Sequence, residues 1–351
     1  MNIMKDDDGI HKYEVSCCLL CGNEGLLLYN NLQDRLFGAP GIWTLKQCPR
    51  CRLVWLDPQP TPENIGKLYS NYFTHQTIET TNPNRQKRLR KAVKGSILQY
   101  DYGYQIDGSN KVMGSVLGRI GFLREIVGRS VRWLEACERG HLLDVGCGNG
   151  SFLDMMQQLG WEVVGVDPDG EAVSTARRIF GLKVFQGSLD DVKFPDNHFD
   201  AITMNHVIEH VYDPVILLKE CHRVLKPGGV LVVVTPNIKS MGHYMFCEHW
   251  RGLEVPRHLL LFSPQTLRAC TETAGLHIEE IRTTASGATW MWAASSLLRR
   301  DGVLPGGEPM NPGLQLSLLG WVFHAVEHTL CGQLEAGEEL VLKAKKQDET
   351  I

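Results

Sequence analysis

Short apolar runs alternate with longer, more polar stretches between residues 141 and 286. The runs are HLLDV, EVVGVD, LKVFQG, FDAITMN, GVLVVVTP and HIEEIRTT, and a seventh, GEELVLKAKK, follows at 337–346. Apolar runs separated by helix-length segments are typical of parallel strands joined by crossover helices. The pattern therefore predicts an α/β fold with a doubly wound, mostly parallel sheet of seven strands.

Shifts in composition divide the rest of the chain. Residues 15–60 are rich in cysteine and turn residues and end in LDPQPTP, whose prolines favour an extended exit from a small module. We predict a small, zinc-ribbon-like N-terminal module at 1–75 and a helical connector at 76–138. The α/β domain would then occupy 139–351, with an apolar helical insertion at about 288–333.

The turn after the first predicted strand, in LLDVGCGNG, is unusually rich in glycine. Its glycines follow a G-x-G-x-G spacing, and Ser151 stands where a dinucleotide-binding turn has its third glycine. Asp144 would also repel a pyrophosphate. A cationic ligand fits this turn better, and S-adenosylmethionine carries both a sulfonium and an ammonium group. Asp167, which ends the second predicted strand, is an acid suited to the hydroxyls of its ribose.

Five motifs in this order resemble those of class I S-adenosylmethionine-dependent methyltransferases. They are LLDVGCGNG, VVGVDPD, FPDNHFDAI, HVIEHVYDP and RVLKPGGVLVVVTPN. The resemblance implies S-adenosylmethionine as cofactor and the strand order 3-2-1-4-5-7-6, with the last strand antiparallel. It also implies a set of cofactor-binding residues: Asp144, Gly146, Cys147, Gly148 and Gly150 near the methionine moiety, Asp167 at the ribose, Pro168, Ser188 and Leu189 near the adenine, and Asn205 and His206. Many relatives have an acid in place of Ser188, so the contact to the adenine amine could come from the backbone or from Asp190.

The motif NHVIEHV follows the fourth predicted strand and brings two histidines towards the transferred methyl group. Histidine titrates near neutral pH, so His206 or His210 could take a proton from an acceptor hydroxyl. Alternatively, His206 lines the cofactor while His210 caps or packs against the next helix. Methyl transfer can also proceed by proximity and alignment alone.

A second candidate acceptor segment, CEHWRGLEVPRHLLLF, follows the fifth predicted strand. Its W-x-G-x-E-x-P-R-H string is similar to one in many bacterial methyltransferases of this group, where it adjoins the acceptor pocket. The resemblance makes Trp250, Arg251, Glu254 and Arg257 candidate substrate-binding residues and His258 a candidate base. Arg257 could pair with an acceptor phosphate or carboxylate. Alternatively, Arg257 and Glu254 form an ion pair on a solvated loop.

Two C-x-x-C pairs, Cys18/Cys21 and Cys48/Cys51, have the spacing of knuckles that bind tetrahedral zinc. Four thiolates leave no open coordination position, so the predicted zinc is structural. Cys17 could replace Cys18, although Gly22 in C-L-L-C-G favours Cys18. The sequence pattern CxxCG…CPRCRLVWLDPQP resembles the zinc-binding segment of bacterial methyltransferases that act on sugars and other small metabolites.

Thirty-six basic and forty acidic residues leave the chain near neutral, which gives no general argument for a nucleic-acid partner. The basic run RQKRLRKAVK lacks the interleaved aromatic residues that stack on bases. The apolar insertion contains Trp290, Trp292 and Trp321 but is too short for a membrane span, which leaves a pocket cover, a dimer interface or peripheral membrane contact.

We expect a cytoplasmic enzyme, since the N-terminus MNIMKDDDGI has no signal-peptide pattern. The predicted reaction is O-methylation of a small metabolite or saccharide. Two alternatives stay open at this stage: C-methylation of a nucleotide keto-sugar, which needs a base to form an enolate, and a non-catalytic binding module, which predicts weak cofactor binding.

Overall fold

The computed structural model describes residues 3–5, 9–69, 85–307 and 335–347. Its contacts group the chain into two compact units, each assembled from three separate segments. The first unit comprises Met1–Phe73, His206–Leu218 and Val234–Leu342; the second comprises Thr74–Asn205, Lys219–Val233 and Lys343–Ile351. The boundaries at 75 and 138 stay a prediction. The start of the predicted connector and the second half of the apolar insertion, with Trp321, lie outside the described residues.

All seven predicted strands of the α/β domain are present. In chain order the described strands are β1 (Ile3–Lys5), β2 (His11–Tyr13), β3 (Leu26–Leu32), β4 (Trp43–Gln47), β5 (Val54–Leu56), β6 (Gln59–Pro60), β7 (His141–Val145), β8 (Glu162–Asp167), β9 (Val184–Gln186), β10 (Phe199–Asn205), β11 (Leu225–Pro236), β12 (Leu260–Leu261), β13 (His277–Thr284) and β14 (Glu339–Lys345). The described helices are α1 (Pro62–Ile65), α2 (Arg85–Asp101), α3 (Lys111–Leu117), α4 (Gly121–Ser130), α5 (Ser151–Gln158), α6 (Gly170–Phe180), α7 (Leu189–Val192), α8 (Pro214–Val224), α9 (Met241–Phe246), α10 (Pro264–Thr273) and α11 (Ala288–Asp301).

The large sheet has seven strands in the order β13-β14-β11-β10-β7-β8-β9. Numbered along the α/β domain, this is 3-2-1-4-5-7-6, so the expected order is confirmed. Strand β7 pairs in parallel with β8 and β10, and β8 pairs in parallel with β9. Because parallel strands end at the same edge, the residues that follow β7 and β8 share one edge of the sheet. The antiparallel direction of the last strand stays a prediction.

Local sequence explains where the crossover helix α6 begins and ends. Asp169 caps its first turn by accepting hydrogen bonds from the backbone N–H groups of Glu171 and Ala172, and Gly181 ends it in the left-handed conformation. The buried face of α6 carries Val173 and Ala176. These side chains belong to an apolar core of the second unit that also includes Leu142, Leu153, Met156, Val163, Val184, Ala201 and Val232.

In the first unit, the cysteine-containing segment forms a four-stranded sheet in the order β12-β5-β4-β3. Its edge strand β12 comes from a distant part of the chain, and Leu260 pairs with Trp55 of β5 in antiparallel register. A second, three-stranded sheet has the order β1-β2-β6. The segment that follows the W-x-G-x-E-x-P-R-H string is thus hydrogen-bonded to the N-terminal module, which the sequence pattern did not predict.

Helix α11 forms the first part of the predicted apolar insertion. Trp292 is buried on it, whereas Trp290 is 36% exposed. Arg299 and Arg300 lie in its last turn, where positive charge stabilises a helix end, and Gly302 terminates it in the left-handed conformation. Within the described residues, no helix combines the length and the apolar character needed to cross a membrane.

Candidate functional site

The glycine-rich turn joins β7 to α5 through backbone that only glycine adopts easily. Gly148 and Gly150 have φ values of 54° and 82°. A Cβ on Gly150 would lie 2.8 Å from Cβ of Ala176, so this glycine permits close packing against α6. No described atom lies within 4 Å of a Cβ placed on Gly148. One side of the turn is therefore open to a ligand that approaches the backbone.

Asp167, at the end of β8, holds this turn in place. Its Oδ2 accepts a hydrogen bond from the backbone N–H of Gly148 (2.7 Å), and its Oδ1 accepts one from that of Asp169 (2.9 Å). Burial raises the pKa of this carboxyl, and the two N–H donors oppose that rise. Each carboxylate oxygen keeps a further lone pair, so the strand-end turn and a ribose contact are compatible.

The residues expected near the adenine lie around α7. Ser188 is exposed and forms a capping box with Asp191, to which its hydroxyl donates a hydrogen bond of 2.6 Å. Leu189 is buried, and Pro168 is exposed. The hydroxyl of Ser188 is thus engaged with the helix cap, which favours a backbone contact to an adenine amine at this position.

Asp144 is fully buried and is already paired with a cation. Its Oδ1 accepts hydrogen bonds from Nη1 of Arg132 and from the hydroxyl of Thr203, the latter at 2.7 Å. The Arg132 guanidinium also lies 3.7 Å from the ring centre of Phe152. Burial raises the pKa of Asp144, and Arg132 opposes that rise. Arg132 could not be predicted as the partner of Asp144, because no local pattern links it to the turn.

His206 bridges two buried carboxylates. Its Nδ1 donates to Glu209 (3.1 Å) and its Nε2 to Glu339 (2.8 Å), while the hydroxyl of Thr235 donates to the other oxygen of Glu209 (2.8 Å). Burial disfavours the imidazolium, but these carboxylates outweigh it and raise the pKa of His206 to about 9. Although burial acts against it, His206 lowers the pKa of Glu209 to about 2. At neutral pH His206 is therefore protonated, which argues against the prediction that it accepts a proton.

His210 and His258 pack with their rings in a T-shaped arrangement, the ring centres 4.8 Å apart. Nδ1 of His210 lies 3.0 Å from the carbonyl oxygen of Arg257 and 2.9 Å from the hydroxyl of Tyr69. Nδ1 of His258 lies 2.8 Å from the carbonyl oxygen of Gly252, and burial lowers the pKa of His258 to about 4. His258 is therefore neutral and a weak base, which argues against the prediction that it accepts a proton.

One ligand atom from each of Glu209, His210 and His258 lies within 4.8 Å of the others, a spacing that a metal ion could also use. Because His206 and Thr235 already occupy the Glu209 carboxylate, we interpret this group as an acid–base cluster.

The bridge at His206 predicts a pH dependence of stability. The pKa of about 9 in the folded chain exceeds the ordinary value of 6.5, so its contribution is complete below pH 6.5 and is lost as pH rises through 9. We expect the free energy of unfolding to fall between pH 7 and about 9.5, and His206→Gln to flatten that decline. The measurement is denaturant unfolding across this range. His277→Gln, at an exposed position on β13, is the control and should leave the decline unchanged. An unaltered slope in His206→Gln would contradict the bridge.

The four predicted substrate-binding residues lie in a buried network rather than on a solvated loop. Arg257 is fully buried and makes a bidentate ion pair with Asp34 (2.7 and 2.9 Å) and a hydrogen bond to Glu254 (3.2 Å). Arg251 donates to the other oxygen of Glu254 (2.5 Å). The indole N–H of Trp250 donates to Glu338 (2.7 Å). An acceptor phosphate could reach Arg257 only by breaking these contacts, so the geometry supports a structural role for this residue.

The four cysteines of the two knuckles converge. Sγ of Cys18 lies 3.4 Å from that of Cys51, and Sγ of Cys21 lies 3.3 Å from that of Cys48 and 3.8 Å from that of Cys51. Sulfurs bound to tetrahedral zinc at about 2.3 Å would be separated by about 3.8 Å. Adjacent Cys17 is exposed, so the geometry selects Cys18 over Cys17. The donor set fits a zinc ion.

A family model described as a methyltransferase domain matches residues 121–281. A probable S-adenosylmethionine-dependent methyltransferase of Mycolicibacterium smegmatis is 31% identical over 150 residues, which are 42% of this chain and 56% of that protein. The mitochondrial ubiquinone biosynthesis O-methyltransferase of Homo sapiens is 32% identical over 159 residues, and the match covers 40% of this chain and 42% of that protein. This chain thus spans about half the length of these curated relatives.

Among solved structures, this chain is similar to a methyltransferase from Archaeoglobus fulgidus that is described as S-adenosylmethionine-dependent. It is 18% identical, with a TM-score of 0.41, and the match covers 71% of this chain and 98% of that chain.

Proposed function

We propose that this chain, whose residues 121–281 match a methyltransferase-domain family model, transfers the methyl group of S-adenosylmethionine to a hydroxyl of a small metabolite or saccharide. The observation that supports this best is the open glycine turn with a buried acid at the end of each neighbouring strand, Asp144 and Asp167. Gly148 lets the ligand approach the backbone, and Asp167 offers lone pairs to the ribose. When bound, the cofactor supplies an electrophilic methyl group.

His210 would act as the general base. Because its Nδ1 faces the carbonyl oxygen of Arg257, the tautomer that donates at Nδ1 leaves a lone pair on Nε2. Nε2 would take the proton of the acceptor O–H, so that the oxygen could attack the methyl group that the cofactor would supply. His206, held as an imidazolium by Glu209 and Glu339, would not compete with His210 for the acceptor proton.

The N-terminal module would support the segment that carries His258. We propose that Cys18, Cys21, Cys48 and Cys51 hold a structural zinc, because four thiolates saturate a tetrahedral ion and leave no position for substrate. The strand β12 extends the sheet of this module, so the zinc would stabilise the segment that carries His258. The proposed enzyme therefore uses zinc for folding and not for chemistry.

The test is a product-mass assay with S-adenosylmethionine and a panel of hydroxylated metabolites, free sugars and nucleotide keto-sugars. We expect a gain of one methyl group on a hydroxylated acceptor. His210→Gln should lower kcat by about 10²- to 10⁴-fold and leave binding of S-adenosylhomocysteine unchanged. His277→Gln, at an exposed position on β13 outside both candidate acceptor segments, is the matched control and should retain the wild-type rate.

Three outcomes would contradict parts of the proposal. Product whose new methyl group is attached to carbon, found only with keto-sugars, would favour C-methylation. Unchanged kcat in His210→Gln would leave proximity and alignment as the source of the rate. Failure of the wild-type protein to bind S-adenosylmethionine would favour the non-catalytic module.

A further inference from the structure

We propose that the outer face of α3 binds a membrane surface that contains anionic lipid. This outer face consists of Lys111, Val112, Ser115 and Val116 of α3, with Arg119 two residues beyond its end. The spacings of three and four positions place these residues on one side of the helix. The face lies in the second unit and contains no residue of the candidate site described above, so the proposal is independent of methyl transfer.

The first feature that supports it is the exposure of apolar side chains. Val112 is 72% exposed, and Val116, one helical turn later, is 59% exposed. Ile120, four positions after Val116, is 48% exposed. Valine forms helices less readily than alanine or leucine, so helix propensity does not explain two valines on a solvent-exposed side. Neighbouring exposed apolar side chains with polar residues around them are typical of an interaction surface.

The second feature is the firm attachment of α3 by its opposite side. The side chain of Asn110 caps the helix by accepting hydrogen bonds from the backbone N–H groups of Val112 (2.9 Å) and Met113 (3.1 Å). Gly114 is buried, and a Cβ placed on it would lie 2.1 Å from the carbonyl oxygen of Ser96 in α2. Because only glycine permits this approach, the packing of α3 on α2 determines which side faces solvent.

The third feature is a local excess of positive charge. Residues 85–130, which span α2, α3 and α4, contain ten Lys or Arg and three Asp or Glu, a net charge of +7 in a chain whose net charge is −4. Lys111 and Arg119, at the two ends of the outer face, are both exposed. Anionic lipid attracts basic residues that lie near its surface. The charge of this segment is therefore complementary to an anionic membrane.

The combination of valines and basic residues favours lipid over two other partners. A second copy docked by the same face about a two-fold axis would bring like charges together. Nucleic acid would attract Lys111 and Arg119, but aliphatic side chains do not stack on bases as aromatic ones do. At a lipid surface, the valines would enter the boundary of the acyl chains while Lys111 and Arg119 reach the head groups.

The experiment is co-sedimentation of the 351-residue chain with vesicles of phosphatidylcholine alone or of an equimolar mixture with phosphatidylglycerol. We expect the wild-type protein to bind only the mixed vesicles, and added salt to weaken this binding because it screens the charges. Lys111→Gln/Arg119→Gln should weaken binding by about 10- to 30-fold, since each basic residue near an anionic surface contributes about fivefold.

A second variant tests the apolar part of the face. Val112→Ala/Val116→Ala removes two carbon atoms from each side chain and should weaken binding to the mixed vesicles by about 10- to 100-fold. Alanine is the better helix former, so α3 should remain folded in this variant, which circular dichroism checks.

Two controls in the first unit match these changes. Leu26→Ala/Leu27→Ala shortens two exposed apolar side chains of β3, and Arg299→Gln/Arg300→Gln removes two exposed charges from the last turn of α11. Both controls should bind the mixed vesicles as the wild type does, because the substituted positions lie outside the outer face of α3.

Three results would overturn the proposal. One is failure of the wild-type protein to bind the mixed vesicles, and another is an equal loss of binding in the outer-face variants and their controls. The third is tighter binding to single-stranded RNA than to the mixed vesicles, lost in Lys111→Gln/Arg119→Gln, which would assign the face to nucleic acid. Unchanged binding in Val112→Ala/Val116→Ala would overturn the role of the valines.

Discussion

Replacing Asp34 with alanine should lower the free energy of unfolding by about 3–5 kcal/mol, the usual cost of breaking a buried ion pair. Asp34 and Arg257 are both fully buried and share two hydrogen bonds. Arg251 and Glu254 complete the network, so its two positive and two negative charges balance. Without Asp34, one buried positive charge remains uncompensated. Denaturant unfolding of the full chain measures the effect.

Matched variants separate charge from the other contacts of Asp34. Asp34 also accepts hydrogen bonds from the backbone N–H groups of Leu36, Phe37 and Ala39. Asp34→Asn removes the charge and keeps an acceptor oxygen for Leu36 and Phe37, but it puts an NH2 group opposite the N–H of Ala39, so it should recover only part of the loss. Asp196→Ala breaks an exposed pair with Arg223 and should cost less than about 1 kcal/mol. A loss in Asp34→Ala no larger than in Asp196→Ala would mean that the network contributes little.

The central strands of the large sheet could be predicted because buried parallel strands need apolar residues over most of their length. The edge strand β13 is largely exposed, and it was recognised by its place in the alternation of runs and helix-length segments. The order of the strands came from the resemblance between motifs. Short-range signals also placed the cysteine knuckles and the glycine turn, where residue spacing alone determines the local geometry. These features depend on residues that are close in sequence.

The charged contacts of the site could not be predicted in this way. Arg257 and Asp34 are 223 positions apart, and a pair so distant leaves no periodic pattern in the chain. In isolation, R-x-x-E-x-x-R at 251–257 is typical of a solvated segment, and only the burial of each side chain shows that it belongs to the interior. The prediction that His206 could act as a base has the same origin. Glu339, which helps to hold His206 as an imidazolium, is 133 residues away, so the sequence gives no sign of this contact.

Arg132 illustrates a third kind of difficulty. It is 12 residues from Asp144, but it reaches that acid only because two consecutive residues adopt the left-handed conformation. Sequence gives little warning of this geometry when neither residue is glycine or asparagine. The signal that could have found it is a basic residue just before the first strand, opposite an acid that burial would otherwise leave uncompensated.

Removing the proposed zinc should have the largest effect on the N-terminal module. Structural zinc contributes about 10–16 kcal/mol of apparent binding energy in zinc-finger peptides, and in a small module this binding energy is folding energy. We expect native mass spectrometry to show one zinc per wild-type chain, and none in Cys48→Ser. Cys48 is fully buried, and its backbone N–H donates to the carbonyl oxygen of Leu53, which directly precedes β5. Hydrogen exchange should therefore accelerate across β4 and β5 in this variant.

The effect should also spread beyond the cysteines. Leu260 of β12 pairs with Trp55 of β5, so loss of the metal should accelerate exchange at 260–261 and lower methyl transfer. Cys17→Ser is the control, because Cys17 is exposed and adjacent to Cys18 but outside the sulfur cluster, and it should keep both zinc and activity. Slow exchange in β4 and β5 of a zinc-free Cys48→Ser chain would instead mean that apolar packing alone folds the module. In that case Trp43, Leu45 and Trp55, all nearly or fully buried in this sheet, would be the source of its stability.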